Sequence, residues 1–75
     1  MEHQKQIKLK PEEVHDFVRT AEQCDFDIDV FYNRFIVDAK SILGVLSLDL
    51  TQKLTVAYAE ADAGFENAIQ KYCVA

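Results

Sequence analysis

A chain of 75 residues has room for one domain and not two, because domains run from about 50 to 250 residues, so residues 1–75 are expected to form a single domain. Hydrophobic residues make up 49% and charged residues 28%, with two glycines and one proline, the composition of a folded chain and not of a disordered tail. Thirteen acidic against eight basic residues give a formal charge of −5, which opposes a nucleic-acid backbone or an anionic membrane as partner.

Lys5, Lys8 and Lys10 interrupt the first ten residues, and no later segment reaches the roughly 18 apolar residues of a membrane span. Neither a signal peptide nor a membrane anchor is expected, and the chain reads as cytosolic. Cys24 and Cys73 have neither metal-ligand spacing nor the density of a disulfide scaffold, and read as small hydrophobes.

In chain order, Gln4 to Lys10 alternates Ile7 and Leu9 with polar residues and predicts a strand with one face buried. Pro11, Glu12 and Glu13 suit a helix entrance, where a missing N–H costs nothing and carboxylates meet the positive end. Val14, Phe17, Val18 and Ala21, with Cys24 continuing the stripe, predict a helix over Pro11 to Gln23. From Asp27 to Asp38 the period changes to two: Ile28, Val30 and Tyr32, then Asn33-Arg34, then Phe35 and Val37. This is a two-residue hairpin pairing Tyr32 with Phe35, Phe31 with Ile36, Val30 with Val37 and Asp29 with Asp38. A left-handed Arg34 there would carry strain of about 1 kcal/mol.

Ser41 to Leu48 predicts a short helix that is apolar nearly all round, with Ser41 as an N-cap worth about 1 kcal/mol. Such a helix cannot bury every side chain in a domain this small, so an exposed apolar patch is expected. Lys53 to Ala59 alternates as a final strand, and Asp62 caps a last helix carrying Phe65, Ala68, Ile69 and Tyr72. The order βαββαβα predicts an α+β fold in two layers, a four-stranded antiparallel sheet with three helices on one face and the other face open. On that open face Phe31, Ile36, Ala57 and Ala59 could form an apolar strip and a homodimer contact, which the like charges of Asp29 and Asp38 oppose.

The stretch Lys40-Ser41-Ile42-Leu43-Gly44-Val45-Leu46-Ser47-Leu48 resembles the signature around the regulatory serine and second helix of the HPr family, the small phosphocarrier proteins of the bacterial sugar phosphotransferase system. Val18-Arg19-Thr20-Ala21 and Ile28-Asp29-Val30-Phe31-Tyr32-Asn33 are similar to that family too, and the resemblance covers nearly the whole chain. It implies the family's open-faced β-sandwich and a protein partner docking on the second helix; in that apolar helix Ile42, Leu43 and Leu46 read as the docking patch and Val45 and Leu48 as core, and neither a cofactor nor a metal is expected. The expected state is a monomer or weak homodimer.

The family carries its phosphoryl group on a histidine at the entrance of the first helix, in a Gly-aliphatic-His-Ala-Arg-Pro type motif. Counted back from Val18, that acceptor position falls on Lys10, followed by Pro11, Glu12 and Glu13, and none of the four matches. Asp49 stands where the family usually has glycine. A lysine ammonium offers no lone pair, Pro11 removes an N–H, and at about 6 Å and an effective dielectric near 20 each carboxylate repels a phosphoryl group by a few kcal/mol before screening. These substitutions imply an HPr-like regulatory or protein-binding domain without histidine phosphoryl transfer, and not an enzyme.

Two alternatives stand beside it. His15, on an exposed flank of the first helix, could be a displaced phosphoacceptor, although a mid-helix imidazole lacks the free N–H groups of a helix end. The chain could instead be a structural homo-oligomerising module. Glu12, His15 and Asp16 share helical spacing but read as a solvated face and not as metal ligands. Ser41 supports both a cap and, as the resemblance implies, regulatory phosphorylation.

Overall fold

The computed structural model describes residues 1–74. Strand β1 (His3–Ile7) leads through a tight 3-10 turn (Pro11–Glu13) into helix α1 (Val14–Glu22). Strands β2 (Ile28–Tyr32) and β3 (Phe35–Asp38) follow, then helix α2 (Ile42–Leu46), strand β4 (Leu54–Tyr58), helix α3 (Ala63–Ile69) and a closing 3-10 turn (Gln70–Tyr72). The sheet runs β1-β4-β2-β3 with every neighbour antiparallel, and the helices lie together on one side of it, as the α+β pattern predicts.

The hairpin register is the one expected, from Tyr32 opposite Phe35 to Asp29 opposite Asp38. Its strain is placed differently. Asn33, at φ 52°, is the one non-glycine residue with positive φ among the described residues. Asparagine tolerates that conformation because its short polar side chain can bond locally, so Arg34 is spared it.

Two element boundaries also move. β1 ends at Ile7 and not at Lys10, because Ile7 meets Leu54, the first residue of β4, and no β4 partner remains beyond it. The Lys8 N–H turns instead to the carbonyl of Tyr72 at 3.0 Å, and the Val74 N–H reaches the carbonyl of Gln6 at 2.9 Å. The last turn of the chain therefore lines the outer edge of β1, masking an edge that would otherwise invite pairing. At the helix entrance the first turn is 3-10, with the Glu13 N–H on the Lys10 carbonyl at 2.9 Å and the Val14 N–H on that of Pro11.

Period-two and period-3.6 residues converge on one core. Val14, Phe17, Val18 and Ala21 of α1 pack over Ile28, Val30, Leu54, Val56 and Tyr58 of the sheet, all of them buried. Phe17 meets Tyr72 edge-on at 6.0 Å, and Phe65 stands edge-on to both Phe26 and Tyr58. On the open face, register places Gln6, Thr55, Phe31 and Ile36 in one row and Gln4, Ala57, Asp29 and Asp38 in the next. The expected apolar strip is cut short: Ala57 is buried in its row, and Ala59 lies exposed beyond the end of β4.

Candidate functional site

Lys10 ends the extended segment after β1, at φ −83° and ψ 152°, and caps the 3-10 turn. Its backbone N–H donates to Oε1 of Glu13 at 2.9 Å, the carboxylate half of a capping box. This changes the electrostatics expected of the entrance, because Glu13 is folded back on its own turn and not held out toward an incoming anion. The tertiary structure adds charge of the other sign. Lys8 and Lys71, 63 residues apart in sequence, line one cleft with Lys10 and Glu13. Sequence reasoning missed Lys8 and Lys71 because only the pairing of the chain's end with β1 brings them together.

His15 is the second residue of α1 and is exposed, on the flank the helical wheel gives it. Among the described residues no three of His, Cys, Asp and Glu stand close enough to hold a metal ion.

At α2, Oγ of Ser41 accepts from the Gly44 N–H at 3.0 Å, the capping bond its residue type predicts. A Cβ on Gly44 would lie 3.1 Å from that Oγ and 3.3 Å from Cβ of Val37, so glycine is what lets the capped helix settle against β3. Lys40 holds the approach to the cap: its Nζ donates to the Cys24 carbonyl at 2.9 Å, and its N–H donates to Oδ1 of Asp38 at 2.9 Å. The Cys24 carbonyl lies just past α1, where a cation suits the negative helix end. Burial and the Asp62 carboxylate push the Cys24 thiol up, away from the reactive thiolate.

The burial expected in α2 is found at four of its five named positions. Val45 and Leu48 are buried, while Leu43 is 81% and Leu46 47% exposed. Ile42 departs from it: it is half-buried and packs against the core, because it stands three residues before Val45 on the same side of the helix. Phe35, 55% exposed on the helix-bearing side of β3, carries a further large apolar surface.

Asp49 follows α2 without any left-handed backbone. Its carboxylate accepts from the N–H and hydroxyl of Thr51 at 3.1 and 2.6 Å, and its N–H donates to the Tyr32 hydroxyl at 3.4 Å. This is an Asx-type turn, and the Thr51 hydroxyl bond is the first cause holding the Asp49 carboxyl below its usual range.

An open four-stranded antiparallel sheet backed by three helices, with a capped, partly exposed apolar second helix, makes an open-faced β-sandwich. Residues 8–71 match the model of the phosphotransferase-system HPr component phosphorylation site, and the chain belongs to the HPr family. Among solved structures it is similar to HPr-C-His from Thermoanaerobacter tengcongensis, at 28% identity and TM-score 0.69 over 91% of this chain and 83% of that one. It is also similar to the phosphocarrier protein HPr from Bacillus anthracis str. Ames, at 26% identity and TM-score 0.66 over 92% and 89%. No curated protein matches it in sequence. No helix of the described residues is long and apolar enough to cross a membrane.

Proposed function

We propose that residues 1–75 form a single cytoplasmic HPr-like domain that binds protein partners and regulates, without carrying a phosphoryl group on histidine and without enzymatic activity of its own. The reading is supported by Lys10, which falls at the acceptor position when counted back from Val18, and by the Glu13 carboxylate bonded to the Lys10 backbone N–H. Phosphoryl transfer through histidine needs an imidazole lone pair at that point and open donors around the phosphoryl oxygens, and this entrance offers an ammonium group instead. Incubation with phosphoenolpyruvate and the family's first enzyme is expected to leave the mass of the chain unchanged. An acid-labile mass gain overturns the reading, and its loss in His15→Ala would assign the carrier role to the exposed His15.

Leu43 and Leu46 provide the docking surface, with Ile42 contributing its exposed fraction, in a monomer or weak homodimer. Leu43→Asp is expected to abolish capture by a phosphotransferase-system partner and leave folding intact, because its side chain already lies in water. Ser41 is the proposed regulatory site. A phosphate there would sit at the first turn of α2, where the helix end favours negative charge. A stable mass gain with the family's kinase and ATP, absent in Ser41→Ala, is the expected outcome.

A further inference from the structure

Three of the chain's eight basic residues converge on one cleft although the molecule as a whole is acidic. Lys8 comes from the segment after β1, Lys10 from the helix entrance and Lys71 from the closing turn. With Glu13, Leu50 and Tyr72 they line an open cleft of about 460 Å³, within the roughly 300–1,000 Å³ range of small-molecule sites. All three lysines are exposed, whereas Tyr72 is buried and Leu50 half-buried, so the rim is cationic and the wall apolar. The Glu13 carboxylate spends Oε1 on the Lys10 N–H and leaves the rim with a net surplus of two positive charges. Lys71 Nζ stands 5.3 Å from the centre of the Tyr72 ring, held over the apolar wall.

We infer that this cleft is a non-covalent binding site for a small amphipathic dianion, a phosphomonoester with a compact apolar or aryl body. A phosphomonoester is close to a dianion at neutral pH, which matches the rim's surplus, and lysine recognises phosphate as a mobile point charge. The apolar body would lie against Leu50 and Tyr72. No bond forms or breaks, so the site does not depend on whether the chain carries a phosphoryl group.

Titration of the full chain with phenyl phosphate at low salt, followed by backbone amide shifts, tests this. Saturable changes centred on Lys8, Lys10, Leu50 and Lys71 are expected, with weaker binding of inorganic phosphate and of benzoate. The exposed double substitution Lys8→Gln/Lys71→Gln removes two charged contacts and should lower affinity about tenfold or more, while leaving the remaining spectrum, and hence the fold, unchanged. Unsaturable changes, changes centred elsewhere, or equal affinity in the double variant would overturn the inference. Equal affinity for inorganic phosphate and phenyl phosphate overturns it as well, since the apolar wall would then contribute nothing. None of these readouts involves phosphoenolpyruvate or a mass change, so failure here is distinguishable from failure of the proposed function.

Discussion

Ser41 shows how far one side chain can be read in advance. A serine ahead of an apolar run predicts an N-cap, and the Oγ bond to the Gly44 N–H is that cap. Ser41→Ala is expected to cost about 1 kcal/mol, read as a lowered urea midpoint at unchanged slope. Tyr58 could not be read this way. It falls within the alternating stretch from Lys53 to Ala59, but its hydroxyl bond to Oε2 of Glu66 at 2.5 Å depends on where α3 lands. Burial first, and then this bond, push the phenol's pKa well above its ordinary value. Because the folded value exceeds the unfolded one, the contribution is complete below pH about 10 and is lost as the pH rises beyond it. Tyr58→Phe is expected to cost about 1 kcal/mol at neutral pH. Its denaturation midpoint should also fall less steeply than the parent's when followed into the alkaline range.

At the scale of elements, the hairpin register and the buried stripe of α1 were legible because a period of 2 or 3.6 with one apolar face admits a single placement. Ends were less legible. β1 stops where β4 stops, a matter of partner length, and the first turn of the predicted helix tightens to 3-10 around the Glu13 and Lys10 bond. The chain's last residues had no pattern at all, yet the Val74 N–H pairs with Gln6 along the β1 edge. Val74→Pro isolates that bond: Cys73 at φ −68° and ψ 142° already has the backbone a residue before proline prefers, and Val74 is exposed. A loss of about 1 kcal/mol in chemical denaturation is expected, with faster hydrogen exchange along β1 and increased self-association from the unmasked edge.

The molecule as a whole rests on one small core, in which Phe17 is fully buried and touches Tyr72 from the closing turn. Phe17→Ala is expected to cost about 3–5 kcal/mol. A total stability of about 5–15 kcal/mol is usual for domains, with small ones at the lower end, so thermal unfolding by circular dichroism should begin near room temperature in that variant. Charge shows the same dependence on the whole. The formal −5 and the adjacent Glu12 and Glu13 describe an acidic helix entrance, whereas the folded chain bonds Glu13 to the Lys10 N–H and gathers Lys8, Lys10 and Lys71 on one cleft.

By itself the sequence determined the order of elements, the two-layer class, the hairpin register and the caps at Ser41 and Asp62. Each of these follows from spacing along the chain or from the chemistry of a residue with its immediate neighbours. Only the tertiary structure decided that Lys40 closes the end of α1, that Val74 pairs along the sheet edge and that three lysines share a cleft. Those features join residues distant in sequence, and no local period encodes which distant side chain a folded surface will bring alongside.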